Sequence, residues 1–350
     1  MAGTSFILTD NRNERAIGIW LLIMAFMVFL MVVVGGATRL TESGLSMVHW
    51  QPLSGVVPPL SEADWQAEFA AYQAFPQYQT VNRGMSLPEF KTIFWWEYGH
   101  RLLGRLIGLA FALPLLFFLA RGRVRRQLKM TLFFLLALGG SQGLLGWYMV
   151  QSGLIDQPAV SQYRLAAHLL LALAIFAALL WVALGLLRPG RGQDDPRVRR
   201  LTLAIFGLVF LQSFLGALVA GLDAGRAYNT WPAMDGGFMP ELMFDLSPWW
   251  LNFFENIAAV QFDHRLAAYL LVGLSAYLLY VALKSKAPRD LRRGAGLLLG
   301  LLMAQMTLGI AALLNFVPVG LGTAHQAGGV LVLGLSLYLV FETKAPAASS

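Results

Sequence analysis

Eight apolar runs of spanning length constrain this chain more than any other feature of it. They lie near 17–37, 98–119, 130–150, 163–187, 200–221, 264–283, 295–315 and 323–342. A helix needs roughly 20 residues to cross the hydrocarbon core of a bilayer. No water is available there, so every backbone N–H and C=O must be satisfied within its own segment, and each run reads as a helix. The expected fold class is therefore an all-α polytopic membrane protein. Composition agrees: only 13% of residues are charged, about half the share of a soluble domain.

The charges that remain orient the chain. Short basic connections follow the second span (Arg121, Arg123, Arg125, Arg126, Lys129), the fourth (Arg188, Arg191, Arg197, Arg199, Arg200) and the sixth (Lys284, Lys286, Arg289, Arg292, Arg293). Arg12, Arg15 and Lys344 join them, whereas the opposite loops hold only Arg39, Arg83, Lys91 and Arg226. The positive-inside rule places both termini in the cytoplasm and the long loops 38–97 and 222–263 outside. The net charge of +7 is thus accounted for by membrane orientation, and nucleic acid is not an expected partner. Residues 1–16 are polar and of mixed charge, with no small-residue cleavage site ahead of a long first span. The first helix reads as retained, and a bacterial inner membrane is the simplest address. The chain has no cysteine, which excludes disulfides and thiolate metal sites.

The outer loops carry helix signals. Ser61-Glu62-Ala63-Asp64 and Ser86-Leu87-Pro88-Glu89 both read as capped helix starts. Ser247-Pro248 reads as a third, and Trp95-Trp96 and Trp249-Trp250 suit a membrane-interface belt. Short helices are expected over the outer ends of the spans.

The chain also repeats. Gly36-Ala37 with Gly44 and Trp50 is echoed by Gly216-Ala217 with Gly225 and Trp231. Gln142-x-x-Leu145-Gly146 returns as Gln305-x-x-Leu308-Gly309, His100-Arg101-Leu102 as His264-Arg265-Leu266, and Ala167-His168 as Ala324-His325. The expected organisation is a cytoplasmic segment 1–16, a four-helix half 17–187, a basic linker 188–199, a second four-helix half 200–343 and a tail 344–350. An even number of spans per half makes this a parallel repeat, unlike the inverted repeats of many transporters.

Four of the five histidines sit at matching places in that repeat, His100 and His168 in one half, His264 and His325 in the other. A lone histidine in a span reads as a packing residue. Four at one depth, from the second and fourth helices of each half, read as axial ligands that grip a haem iron from both faces. Zinc would call for cysteine or carboxylate beside them. His49 has no counterpart and reads as a loop residue. Arg101 and Arg265, beside the histidines, are candidates to hold haem propionates. Snorkelling to headgroups is the plainer use of such residues. Arg39 and Arg226, with Arg105 and Arg164, are weaker candidates. The Gln-x-x-Leu-Gly pattern, present again as Gln212-x-x-Leu215-Gly216, reads as a helix-packing device.

The repeat breaks at one informative place. Glu97 precedes His100 by three residues, and the equivalent residue before His264 is the neutral Gln261. Electron transfer through a haem needs no proton donor, whereas oxygen chemistry does. That makes the first half the reacting half, the second the seat of a resident cofactor, and Glu97 the candidate catalytic residue. The plainer alternative is that Glu97 only pairs with a neighbouring arginine.

Together, Glu97-Tyr98-x-His100-Arg101, Phe262-Asp263-His264-Arg265, Gly225-Arg226-Ala227-Tyr228-Asn229-Thr230-Trp231-Pro232 and Thr41-x-Ser43-Gly44-Leu45-Ser46 resemble haem A synthase, in the branch shared by alphaproteobacteria and mitochondria. The resemblance covers nearly the whole chain. It implies conversion of haem O to haem A for cytochrome oxidase, with a ring methyl oxidised to formyl by hydroxylation and then a second oxidation to a hydrate that loses water. It also implies a haem b on His264 and His325, substrate haem on His100 and His168, and the family's essential glutamate at Glu97. Some members carry a cysteine pair in the outer loops, and this chain has none. Expected partners are haem O, an unidentified electron donor and the bilayer, with haem O synthase, oxidase assembly factors and a second copy of the chain as candidates. The competing reading is a dihaem b-type electron carrier with two permanent haems. A parallel-repeat transporter would leave the matched histidines without a use.

Overall fold

A computed structural model describes residues 2–50, 54–154, 159–188, 195–285 and 287–343, with side chains from Arg12 onward except Ser54. Arg191, Lys286 and Lys344 of the basic flank, and the tail 344–350, lie outside the described residues. In chain order the helices are α1 (Ala2–Leu40), α2 (Glu62–Gln73), α3 (Pro76–Thr80), α4 (Leu87–Ala120), α5 (Arg126–Gln151), α6 (Gln162–Leu187), α7 (Pro196–Gly221), α8 (Asn252–Glu255), α9 (Ile257–Lys284), α10 (Arg289–Leu314) and α11 (Val319–Glu342). Eight of them, α1, α4 to α7 and α9 to α11, are long and apolar enough to cross a membrane. The chain is a multi-pass membrane protein.

Each half closes its own ring of contacts. α1 packs on α4, α4 on α5, α5 on α6 and α6 back on α1. α7, α9, α10 and α11 close in the same order. The rings meet along α1 with α11 and α6 with α7, so the seam is itself symmetric. Burial follows this plan, reaching 50% in α11 and 44% in α1 against 11% in α5. The seam has polar ties: Gln326 Nε2 donates to Val32 O at 2.8 Å, and Arg188, just after α6, meets Glu342 at the end of α11 at 3.3 Å.

The outer loops differ from expectation in one respect. Ser61 and Asp64 do form a capping box that starts α2. Ser86 and Glu89 also form one, but it starts α4 itself, about three turns before the expected span edge at Tyr98. No residue between Leu87 and the span breaks the helix, so cap and span are one rod. That projecting end packs with α2 and α3 in a second apolar core, separate from the one between the long helices and made by Met47, Val48, Trp65, Phe69, Tyr72, Phe90, Phe94 and Tyr98. After Ser247-Pro248 the chain makes a single 3-10 turn, Trp249–Leu251, then the four-residue α8. Asn256 caps α9 by accepting from the Ala258 and Ala259 amides at 2.8 and 3.1 Å. Trp95, Trp96, Trp249 and Trp250 are all exposed.

Candidate functional site

Every histidine of the matched set faces a glycine on the next helix. A Cβ built at Gly35, Gly146, Gly216 or Gly309 would stand 3.1 Å from His100, 2.9 Å from His168, 3.1 Å from His264 or 2.7 Å from His325. Relaxed carbon contacts lie at about 3.5–4.0 Å, so each imidazole lies where only a glycine leaves room. The structure shifts one equivalence by a residue. Gly35, not Gly36, floors the His100 ring, while Gly36 lies against Gln326. The spacing that pairs Gly44 with Gly225 and Trp50 with Trp231 pairs Gly35 with Gly216 and Glu42 with Asp223, and the last two share a left-handed backbone at φ 55° and 51°.

The glutamines of the Gln-x-x-Leu-Gly pattern do more than pack. Gln142 Nε2 donates to His168 O at 3.0 Å, Gln212 Nε2 to His264 O at 3.1 Å and Gln305 Nε2 to His325 O at 2.6 Å. The pattern was visible in the sequence. Its target was not, because each bond crosses to another helix.

Glu97 is buried, 2% exposed. Its Oε2 accepts from Ser46 Oγ at 2.8 Å and from the Met47 amide at 2.6 Å, and its Oε1 from Arg101. Arg101 also donates to Met47 O at 2.7 Å and His49 O at 3.1 Å. The pair therefore staples the loop after α1 to α4. Gln261 and Arg265 do the same in the other half: Gln261 Nε2 donates to Ala224 O and Ala227 O, each at 2.6 Å, and Arg265 donates to Gln261 Oε1 at 2.6 Å and Tyr228 O at 2.9 Å. The pairing of Glu97 with its arginine, the plainer sequence reading, is thus present. The difference in charge that singled it out is present too, since the residue standing in its place, Gln261, is neutral. Ser46 and the Met47 amide were missed from sequence because they approach across some fifty residues of chain.

The second pair of histidines has the spacing an iron needs. The rings of His264 and His325 have centroids 6.3 Å apart and stand nearly perpendicular, at 77°. Two metal–nitrogen bonds of about 2 Å and two ring half-widths of about 1.1 Å put the centroids of a bis-imidazole metal about 6.2 Å apart. His325 Nδ1 lies 3.1 Å from the Gln305 carbonyl. That oxygen can only accept, so Nδ1 carries the proton and Nε2 is left for the metal. Arg265 Nε is buried without a partner beside this pair, and His168 Nδ1 is so in the other half. Such orphans suit an absent acceptor or donor. The residues present fit a haem. Among the described residues no three histidine, aspartate or glutamate side chains converge as a metal cluster.

Arg39 and Arg226 pair across the two halves. Arg39 donates to Asp223 Oδ2 and Ala220 O, both at 3.0 Å, and Arg226 to Glu42 Oε1 at 3.4 Å. These reciprocal ion pairs bind the C-terminal end of α1 to the loop after α7. Arg164 lies over the Tyr148 ring at 3.8 Å.

Residues 18–337 match the cytochrome oxidase assembly protein family. A Heme A synthase of Nitrosospira multiformis is 53% identical over 96% of this chain and 96% of its own length. One from Parvibaculum lavamentivorans is 52% identical over 94% and 95%. A third, from Sinorhizobium medicae, is 50% identical over 93% and 89%. The chain belongs to the haem A synthase family. Membership at this identity extends across both rings of helices, so the two histidine pairs and the staples above them all lie within the shared region.

Proposed function

We propose that the chain is an oxidoreductase that converts haem O to haem A for cytochrome oxidase assembly, by oxidising one ring methyl to formyl. The observation that carries the reading, beyond family membership, is the histidine pair at 6.3 Å repeated in plan by a second pair beside a buried carboxylate. In this reading residues 17–187 form the substrate half and 200–343 the cofactor half. His264 and His325 hold a resident haem b. A haem b there would supply one-electron transfer between the reacting half and an unidentified redox partner. His100 and His168 would hold the substrate haem by its iron. Glu97, beside His100, takes or gives the proton that each oxidation moves. Arg101 and Arg265 meet propionates at the outer end, where the orphaned Arg265 Nε supports the second assignment. The apolar cap of α2, α3 and α4 keeps bulk water from the first site. The basic connections, with Arg121, Arg123, Arg125 and Arg126 between α4 and α5, support an inner membrane with the haem sites on the periplasmic side.

Haems extracted from membranes bearing Glu97→Gln test the assignment. Haem b is expected to remain, because its two histidines lie in the other ring of helices, while haem A disappears. Normal haem A would remove Glu97 from the chemistry. Two equivalents of haem b in the purified wild type, without haem O or A, would instead favour the dihaem electron carrier.

A further inference from the structure

Three of the four matched histidines are held by a glutamine amide of the neighbouring helix, which for His168 and His264 also lies within 3.1–3.4 Å of a ring nitrogen, and among the described residues the fourth, His100, is not. Gln142, Gln212 and Gln305 each stand one turn before the flooring glycine and donate an amide N–H to the carbonyl of the histidine residue opposite. That carbonyl decides which end of the amide faces it, so all three Oε1 atoms point away, and all three are buried without a partner. Leaving a buried acceptor unpaired is costly. The same cost recurs in three separate helices, which marks the amides as kept for what their N–H groups do. α11 even makes room for one of them: a Cβ at Gly328, a turn beyond His325, would run into Gln305 Oε1.

In α1 the register that pairs Gly35 with Gly216 puts Met31 where Gln212 stands in α7. The Met31 Cε lies 3.3 Å from where a Cβ at Gly104 would be, a turn beyond His100. It occupies the clamp position with a flexible thioether that has no donor. His100 keeps its glycine floor but has no amide from the neighbouring helix to hold its backbone.

We propose that Met31 makes His100 the releasing ligand of the set, so that haem in the first half is gripped by the clamped His168 and let go from the His100 side. The inference rests on the reading that the first half takes haem O and yields haem A. A resident cofactor needs two fixed ligands, and His264 and His325 are both clamped. A group that must arrive and leave needs one ligand that gives way, and the only unclamped histidine of the four stands in the substrate half. Met31 is a positioning residue. It acts through the stiffness of α4 at His100 and touches no reacting atom.

The test uses full-length protein purified with its own haems, in wild type, Met31→Gln and Gln212→Met. Two quantities are read: haem b, O and A per chain by extraction, and the rate at which each haem passes to excess apomyoglobin. One neutral hydrogen bond corresponds to a factor of about three to ten. Met31→Gln is expected to slow the transfer of haem O and A by that factor and raise their content, with haem b and its low-spin spectrum unchanged. Gln212→Met is expected to speed haem b transfer by the same factor and leave O and A alone. Damage to the fold cannot produce tighter retention, so the gain separates positioning from structure. Unchanged O and A transfer in a Met31→Gln protein with wild-type melting and haem b overturns the proposal. Should that variant fail to fold, Gln142→Met decides: it is expected to speed O and A transfer by the same factor, and an unchanged rate overturns the proposal. Failure of the underlying reading looks different, as two slowly exchanging haem b equivalents in the wild type.

Discussion

Adding a single methyl group at Gly309 should weaken haem b retention at little net cost to the fold. A Cβ there would lie 2.7 Å from His325 Cε1 and 3.3 Å from both ring nitrogens. To restore a contact of about 3.5 Å the ring must retreat by roughly 0.8 Å. Metal–ligand distances tolerate departures of only about 0.2 Å. The retreat also strains the Nδ1–H bond to the Gln305 carbonyl, now 3.1 Å, which orients the ring. Disturbing such outer partners costs about tenfold to a hundredfold in metal affinity. Two terms oppose each other in the fold itself: alanine favours the helix interior by about 1 kcal/mol over glycine, and overpacking costs about 1–3 kcal/mol. Gly309→Ala should therefore melt within about 2 kcal/mol of wild type yet retain haem b at least tenfold more weakly. Gly216→Ala, whose Cβ would clear His264 by 3.1 Å, should do the same more mildly. Pyridine haemochrome content per chain, beside a thermal melt in detergent, measures both quantities. A Gly309→Ala protein with full haem b and an unshifted low-spin spectrum would refute the assignment of His325 as a ligand.

Three further outcomes follow from the same geometry. Phe90 is fully buried between Phe69 and Tyr72, with ring centroids at 5.1 and 5.3 Å. Phe90→Ala should cost the cap about 3–5 kcal/mol and open loop 38–97 to protease while α9 to α11 keep haem b; an equally resistant loop would count against the cap. The Ser61 amide and hydroxyl hold the Asp64 carboxyl below its ordinary 3.8. A group lowered on folding gives its stabilisation above the unfolded value and loses it as pH falls through the folded one. Amide exchange in the first turn of α2 should thus be no faster for this cause at about pH 5 than at pH 7, and should rise only under strongly acidic conditions. A loosening that Asp64→Asn abolishes between those two values would contradict this. Arg265→Lys keeps the charge but loses the fork that reaches Gln261 and Tyr228 at once. It should weaken haem b retention, and redox titration that found the same content and potential would remove Arg265 from the haem site.

What could be read in advance depended on whether the signal was local. The spans and the Ser61 box were legible because apolar length and capping spacing are properties of one segment, and the matched places of the four histidines because a repeat can be counted along the chain. The Ser86 box was legible as a start but not as the start of α4, since nothing in a capping pattern says how far a helix will run. The staple between Glu97 and the Ser46-Met47 turn, and the bonds from Gln142, Gln212 and Gln305 to histidine carbonyls, join segments far apart in the chain. A single sequence offers no distance between them. The one-residue shift that makes Gly35 the partner of His100 has the same origin: two adjacent glycines look alike until a neighbouring ring selects one.

The unbroken course of α4 has a mechanical consequence. Phe90 and Phe94 in the cap, Glu97 at the staple and His100 share one continuous helix. A torque on the cap is therefore passed to His100, with no break in the helix between them to absorb it. α9 offers no such handle, because it begins at Ile257, two turns before His264, behind the four-residue α8. The two rings of helices are alike in plan, but among the described residues only His100 of the matched histidines lies on a helix that runs on into such a cap.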